Sequence, residues 1–277
     1  MGIITTQKIA SFYDRFKDVD ITFTKEVIQV IGLISQEVYL KCGGDFWPCI
    51  IYSTSFQGAK IIANVKTNLT MKLEETNNSV SLRFCFKSLD GAGPVTFFVA
   101  SRSIGYAPYE KATDVAIFTL QFTQRPPDDL IGIMGRILEA NFNFVERKED
   151  RISISLDSQR KMRILPKDCA VFIEGVPRHC ILRDVSFYGA KLIMVGVAKF
   201  LVNKDIALRV DFDEPRESFL IRGRFINSET VEGRKDLVAL EVQFTENLVP
   251  LGYKIRINEY LGLVHLEVSP PVDSNAN

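Results

Sequence analysis

The stretch at residues 49–62, CIIYSTSFQGAKII, decides the fold because the chain repeats it as CILRDVSFYGAKLI at residues 180–193. Eight of the fourteen positions are identical, at a constant offset of 131 residues. Self-similarity of this kind is the signature of a duplicated structural unit. The sequence therefore predicts two copies of one domain.

The repeat continues on both sides of gaps that change the offset slightly. VSLRFCF at residues 80–86 resembles IALRVDF at 206–212, and QFTQ at 121–124 resembles QFTE at 243–246. Turns that gain or lose residues explain such changes of offset. The match therefore covers most of each half.

The repeat sets the expected domain boundaries. The first domain is predicted at residues 1–140, a linker at 141–151 and the second domain at 152–277. The polar end of the chain, from about residue 268, contains two prolines and is expected to be frayed.

Each copy shows a hydrophobic period of two. In LVALEVQF at residues 237–244 the apolar side chains alternate with Ala239, Glu241 and Gln243, which is typical of a half-buried strand. Short strands separated by turn residues favour a closed antiparallel sheet, since closure removes exposed edges. A helical apolar pattern follows each set of strands, from Leu130 and, after a less regular start, from Leu248. The predicted fold class is mainly β, with two tandem small antiparallel barrels, each followed by a helix.

Composition narrows the class of function. The chain has 34 basic and 34 acidic residues, so no global field favours a nucleic acid polymer as partner. The longest apolar stretch, residues 192–202, is much shorter than the roughly 20 residues of a membrane helix, so no membrane insertion is expected. The start, MGIITTQK, lacks the pattern of a secretory signal, and a cytoplasmic location is expected.

Cysteine and histidine usage argues against a metal site. The five cysteines include no CxxC pair, and the chain has only two histidines. Structural zinc sites use paired Cys and His spacings. Reduced, partly buried thiols are expected, with neither a metal nor a disulfide framework.

Two arginines four positions apart, Arg147 and Arg151, stand directly before the first strand of the second domain. A guanidinium fork can hold a phosphate, or the O6/N7 edge of guanine, with two parallel hydrogen bonds. Taken alone, RxxxR in a chain with 34 basic residues favours a solvated charged linker.

A second candidate group lies in the repeated stretch, in DVSFYG at residues 184–189. Asp184 and Ser186 are two apart on a strand and face the same side. The carboxylate can accept the N1–H and N2–H of guanine, the hydroxyl can bond to base or phosphate, and Gly189 lets the backbone turn. Asp, Ser and Gly are also ordinary turn residues, so DxSxxG alone is a weak signal.

Together and in this order, RxxxR and DxSxxG, followed by alternating strands and a terminal helix, resemble the PilZ family of bacterial cyclic di-GMP receptors over about residues 145–262. The resemblance implies that Arg147 and Arg151 clamp the dinucleotide and that Asp184, Ser186 and Gly189 contact it. It implies a receptor rather than an enzyme, with no cofactor besides the ligand. Its output would pass to a protein partner, often in motility, adhesion or envelope regulation.

The spacing departs from compact members of the family, because Asp184 follows Arg151 by 33 positions. The intervening SQRKMRILPK at residues 158–167 is predicted to be an extended loop or hairpin. Its basic residues Arg160 and Arg163 are alternative or additional members of the clamp.

The first copy serves as an internal control. It has Ser53 where the second copy has Asp184, and it lacks RxxxR before its first strand. It therefore resembles the degenerate PilZ-like domains that precede a competent one. Two functions remain open: a receptor whose ligand orders the arginine linker and reorients the domains, or an interaction module of the same fold that does not bind the dinucleotide. An enzyme is the third alternative.

Overall fold

The computed structural model describes residues 5–88, 93–110, 112, 114–147, 150–165 and 169–268. The chain forms two compact units, Met1–Glu139 and Ala140–Asn277. The end of the chain that was expected to be frayed lies almost wholly outside the described residues.

The first unit is a barrel with short helices around it. Its described helices are α1 (Thr6–Phe16), α2 (Lys25–Ile31), α3 (Leu69–Glu75) and the start of α4 (Asp128–Glu146). Its described strands are β1 (Ile21–Thr22), β2 (Tyr39–Cys42), β3 (Asp45–Thr54), β4 (Gly58–Asn64), β5 (Ser79–Phe86), β6 (Val95–Pro108) and β7 (Val115–Phe122). Within the described residues, six antiparallel strands close in the order β3-β2-β5-β6-β7-β4, because β3 also pairs with β4. Strand β1 pairs with the last two residues of β3, Ser53 and Thr54.

The second unit repeats this plan. Its described helices, after the end of α4, are α5 (Leu156–Met162), α6 (Ala198–Leu201) and α7 (Leu251–Val268). Its described strands are β8 (Ile152–Ser153), β9 (Ala170–Ile173), β10 (Val176–His179), β11 (Ile181–Val185), β12 (Gly189–Val195), β13 (Asp205–Phe212), β14 (Glu217–Val231) and β15 (Arg234–Phe244).

The second sheet runs β10-β9-β13-β14-β15-β12-β11-β8. Only Cys180 separates β10 from β11, so these two strands correspond to the single long strand β3 of the first unit. The two barrels therefore have the same strand order, and the predicted fold class is confirmed.

The strand register repeats as closely as the sequence does. Ser53 pairs with Lys60 in the first barrel, and Asp184 pairs with Lys191 in the second. Each pair follows a bulge, at Ile51/Ser53 and at Leu182/Asp184. The bulge re-aims the following side chain at the same place on both barrels.

The prediction that residues 158–167 form an extended loop or hairpin is wrong. Residues up to Met162 belong to helix α5, whose N-terminus is a capping box between Ser155 and Ser158. The helix ends at Arg163, which has a left-handed φ of 57°. Helix α2 occupies the same place in the first unit, so the long spacing is a property of both copies.

The predicted linker also takes a different form. Residues 141–146 are the last residues of helix α4, and the second unit begins at Ala140. Phe144 belongs to the core of the second unit together with Phe187 and Tyr253. The amphipathic pattern that continues past residue 140 explains why the helix extends into this segment.

The cysteines lie in the cores. All five are buried and free. Burial raises the pKa of Cys49 to about 12 and that of its counterpart Cys180 to about 11, so both stay protonated and unreactive at neutral pH. No helix in the described part of the chain is long and apolar enough to cross a membrane.

Candidate functional site

The turn between β11 and β12 is organised by the hydroxyl of Ser186. This hydroxyl accepts hydrogen bonds from the backbone N–H of Tyr188 (3.2 Å) and of Gly189 (3.0 Å), and it donates to the carbonyl of Gly189 (3.2 Å). Only 2% of Ser186 is exposed. The hydroxyl predicted to reach the ligand is therefore used inside the turn.

Two other groups occupy the space that a side chain at position 189 would fill, so this position requires glycine. A Cβ at this position would lie 2.3 Å from the carbonyl oxygen of Val242 on β15 and 3.6 Å from Nη2 of Arg151. The first distance is a steric clash with backbone, which cannot move easily. The second shows that the guanidinium of Arg151 lies over the glycine.

Two of the residues that the sequence assigned to the ligand site, Arg151 and Asp184, lie in contact with each other. Nη1 of Arg151 donates to Oδ1 of Asp184 at 3.1 Å. Strand β8 explains this contact, because Ser153 pairs with Asp184 and thereby places Arg151 at the edge of the barrel. The Asp184 side chain is 17% exposed and that of Arg151 39%, so the pair is accessible to a ligand from one side.

Two further charged residues, Glu241 and Lys191, contact this pair, and neither belongs to the RxxxR or DxSxxG motif. Nη2 of Arg151 donates to Oε1 of Glu241 at 2.7 Å. The backbone N–H of Lys191 donates to Oδ1 of Asp184 at 3.1 Å, while its ammonium pairs with Glu229 at 2.7 Å. The hydrophobic period of two in the sequence predicts that Glu241 lies on the outer face of its strand. In the structure this strand is β15, and Glu241 pairs in register with Lys191.

Arg147 is close to this group in sequence, but its described contacts do not join it to Asp184. Its Nη1 lies 3.7 Å from Oδ2 of Asp150. The same nitrogen is buried and has no hydrogen-bond partner among the described residues. A buried donor without an acceptor is costly, so this nitrogen favours an incoming acceptor such as a phosphate oxygen.

Tyr188 fixes the end of helix α4 to the turn. Its hydroxyl donates to the carbonyl of Phe144, and the two rings stack with centroids 4.6 Å apart. The ammonium of Lys254 lies 3.8 Å from the centroid of the Phe144 ring. Burial raises the pKa of Tyr188, so its hydroxyl remains a donor. The end of α4, three residues before Arg147, is thus held by the same turn that carries Ser186 and Gly189.

The two alternative arginines lie elsewhere in the second unit. Arg160 is exposed in the last turn of α5. Arg163 forms an ion pair with Glu214 and donates to the Glu214 carbonyl at 3.2 Å. The described contacts bring neither of them to Asp184.

A groove of about 430 Å³ continues from the site along the second barrel. Asp184 and Lys191 form part of its wall, together with Ser153, Arg183 and Ile193. Asp184 therefore faces Arg151 on one side and a groove of ligand size on the other. Within the described residues, no group of three His, Cys, Asp or Glu side chains could hold a metal ion.

The first barrel has the same turn with different charges. Gly58 approaches the carbonyl of Leu120 as Gly189 approaches that of Val242, with a Cβ-to-oxygen distance of 2.4 Å. The position of Arg151 holds Asp20, whose carboxylate lies 3.9 Å from the ammonium of Lys60. The position of Asp184 holds Ser53, which is 3% exposed.

Two sequence comparisons bear on the family to which this chain belongs. A family model described as the PilZN3 domain matches residues 7–141. A protein named cyclic di-GMP binding protein, from Treponema denticola, is 40% identical over 270 residues, which are 97% of this chain and 86% of that protein.

Solved structures with similar chains were also found. The PlzA protein of Borreliella burgdorferi, in complex with c-di-GMP, is 22% identical with a TM-score of 0.42, covering 92% of this chain and 98% of that chain. YcgR of Escherichia coli, in complex with c-di-GMP, is 11% identical with a TM-score of 0.31, covering 95% and 92%.

Proposed function

The chain belongs to the PilZ-domain family, with a PilZN3 domain as its first unit, and from this premise we propose that it is a receptor that binds cyclic di-GMP at its second barrel. Support comes from the relative named as a cyclic di-GMP binding protein, which matches nearly the whole chain. The proposed contacts are Arg147, Arg151, Asp184 and the backbone at Gly189.

The observation that carries the proposal is the contact between Arg151 and Asp184 above Gly189. A guanidinium and a carboxylate side by side offer both halves of what a guanine edge needs, donors for O6 and N7 and an acceptor for N1–H and N2–H. Among the described contacts, Oδ1 of Asp184 accepts two hydrogen bonds and Oδ2 accepts none. That second oxygen is the acceptor proposed for the guanine.

Arg147 supplies the second part of the clamp. Its buried Nη1 has no hydrogen-bond partner among the described residues, and a phosphodiester oxygen of the ligand would satisfy it. Ser186 acts indirectly in this proposal, because its hydroxyl holds the turn rather than the ligand.

The same geometry suggests how binding reaches a protein partner. Arg147 directly follows helix α4, which starts in the first unit and ends in the second. We propose that fixing Arg147 on the ligand changes the relation of the two units and exposes or hides a surface for a partner. Paired labels, one on each unit, should report a distance change when cyclic di-GMP is added; an unchanged distance at saturation would remove this step and leave binding intact.

Calorimetric titration of the full chain with cyclic di-GMP tests the receptor function. We expect saturable binding with a Kd well below the millimolar range, where the binding free energy is about −4 kcal/mol. GMP serves as the control, since it offers one guanine edge and one phosphate where the cyclic dinucleotide offers two of each, and we expect it to bind more weakly. Absence of binding in this titration would favour the alternative, an interaction module that has lost the ligand.

A further inference from the structure

The Glu241 carboxylate engages one of the two Nη atoms of Arg151. Both Nη atoms of Arg151 are engaged by carboxylates of the same barrel, Nη1 by Asp184 and Nη2 by Glu241. The guanidinium spans from β11 to β15 and lies over Gly189 on the strand between them. The two donors that would hold the ligand are therefore already engaged by groups of the chain itself.

The two carboxylates differ in what else they bind. Asp184 also accepts the backbone N–H of Lys191, which ties it to the sheet. Among the described contacts, the carboxylate of Glu241 bonds only to Arg151. Its side chain is 32% exposed, so it can turn into solvent without leaving a buried charge. Of the two carboxylates, that of Glu241 is thus the one that an incoming ligand oxygen can displace.

The ion pairs around Arg151 hold more carboxylates than cations, although Arg183 and Arg147 lie nearby. Arg151 and Lys191 are balanced against three carboxylates, those of Asp184, Glu241 and Glu229. A cyclic dinucleotide has two negative phosphodiesters, so a carboxylate on the clamp raises the free energy of the bound state.

The first barrel lacks this arrangement altogether. Strand β7 has Thr119 at the position of Glu241, since Thr119 pairs with Lys60 as Glu241 pairs with Lys191. The carboxylate therefore occurs only where there is an arginine to engage. A role that accompanies Arg151 explains this difference better than a role in the fold.

We propose that Glu241 is an internal competitor that occupies the Nη2 arm of Arg151 in the free protein and sets the affinity threshold for the dinucleotide. This inference rests on the proposed function. Ligand binding exchanges the Glu241 carboxylate for a ligand oxygen on Arg151, so the affinity is lower than the clamp alone would give.

The test is calorimetry of the full chain with cyclic di-GMP, comparing wild type, Glu241→Gln and Glu229→Gln. Glutamine keeps the shape and removes the charge. We expect Glu241→Gln to bind roughly three- to tenfold more tightly, because a half-exposed ion pair of modest strength no longer competes. The gain should shrink at high salt, which weakens the pair in the wild type.

Glu229→Gln is the matched control, since it removes the same charge from the same face but from Lys191 instead of Arg151. We expect its affinity to change less than about twofold. Equal tightening in both variants would show an effect of net charge and would overturn the competitor role. Unchanged or weaker binding by Glu241→Gln, with a wild type that binds, would overturn it too and leave the receptor function standing. A wild type that does not bind removes the receptor function itself, and this inference with it.

Discussion

The two barrels share the structure of one turn but differ in the charged residues around it. In both, a serine hydroxyl closes the turn, a phenylalanine fills the core beneath it and a glycine lies against a carbonyl of the neighbouring strand. On the outside, the position that holds Asp20 in the first barrel holds Arg151 in the second, so its charge is reversed. Asp20 lies near Lys60, whereas Arg151 pairs with Asp184.

This difference separates residues that maintain the fold from residues that perform the function. The shared residues, such as Phe56 and Phe187, are almost fully buried. The differing charges are mostly on the surface, where an ion pair contributes about 0–1 kcal/mol to stability. One copy can therefore lose or gain a ligand site without a change of fold.

The largest expected effect comes from the shared glycines. Gly58→Val and Gly189→Val each place a Cβ within 2.4 Å of a strand carbonyl, and overpacking of this kind costs about 1–3 kcal/mol or more. Urea denaturation should show both variants destabilised. Titration should show that only Gly189→Val also impairs cyclic di-GMP binding; intact binding in both would break the comparison.

The second largest effect is expected from replacing Asp184, the aspartate that distinguishes the two turns. Asp184→Ala removes the proposed guanine acceptor and one partner of Arg151, so affinity should drop by about 1–3 kcal/mol. Stability should change little, because the pair is partly exposed. Calorimetry and thermal denaturation measure the two effects separately.

Ser53→Asp is the converse change in the first barrel. It should confer no second site, because Phe16 and Asp20 stand at the positions of Arg147 and Arg151. It should also destabilise the first unit, since Ser53 is 3% exposed and a carboxylate there would be desolvated. A second binding event in this variant would show that the first barrel needs only the aspartate.

The smallest expected effect is that of the arginines on and after α5. Arg160→Ala and Arg163→Ala should leave the affinity within about twofold of wild type, since Arg163 is engaged by Glu214 and the contacts of the described residues join neither arginine to Asp184. Loss of binding in either variant would place the clamp in this second basic cluster.

Much of the fold could be predicted from the repeat. Two aligned copies of the stretch around Gly58 and Gly189, together with the period of two, sufficed for tandem barrels. Helix α5 was missed because its apolar pattern is only seven residues long. The capping pair Ser155 and Ser158, and the matching helix α2, were the signals that could have identified it.

The site was less predictable than the fold. The sequence motifs named Arg151 and Asp184 as members of one ligand site without predicting their contact, and Glu241 is 90 residues from Arg151 and belongs to no motif. Strand pairing brings it there, and pairing is a property of the whole barrel. The use of Ser186 inside the turn likewise depends on backbone geometry that residue types alone do not specify.

The measurement that tests the central claim most directly is a paired calorimetric titration with cyclic di-GMP of Arg151→Ala and Asp20→Ala, the two variants at the matched position of the barrels. We expect Arg151→Ala to lose about 1.5–3 kcal/mol of binding free energy with nearly unchanged thermal stability, because it removes a charge-assisted fork on the surface. Asp20→Ala should bind as the wild type does. Wild-type affinity in Arg151→Ala, or a comparable loss in Asp20→Ala, would contradict the assignment of the site to the second barrel.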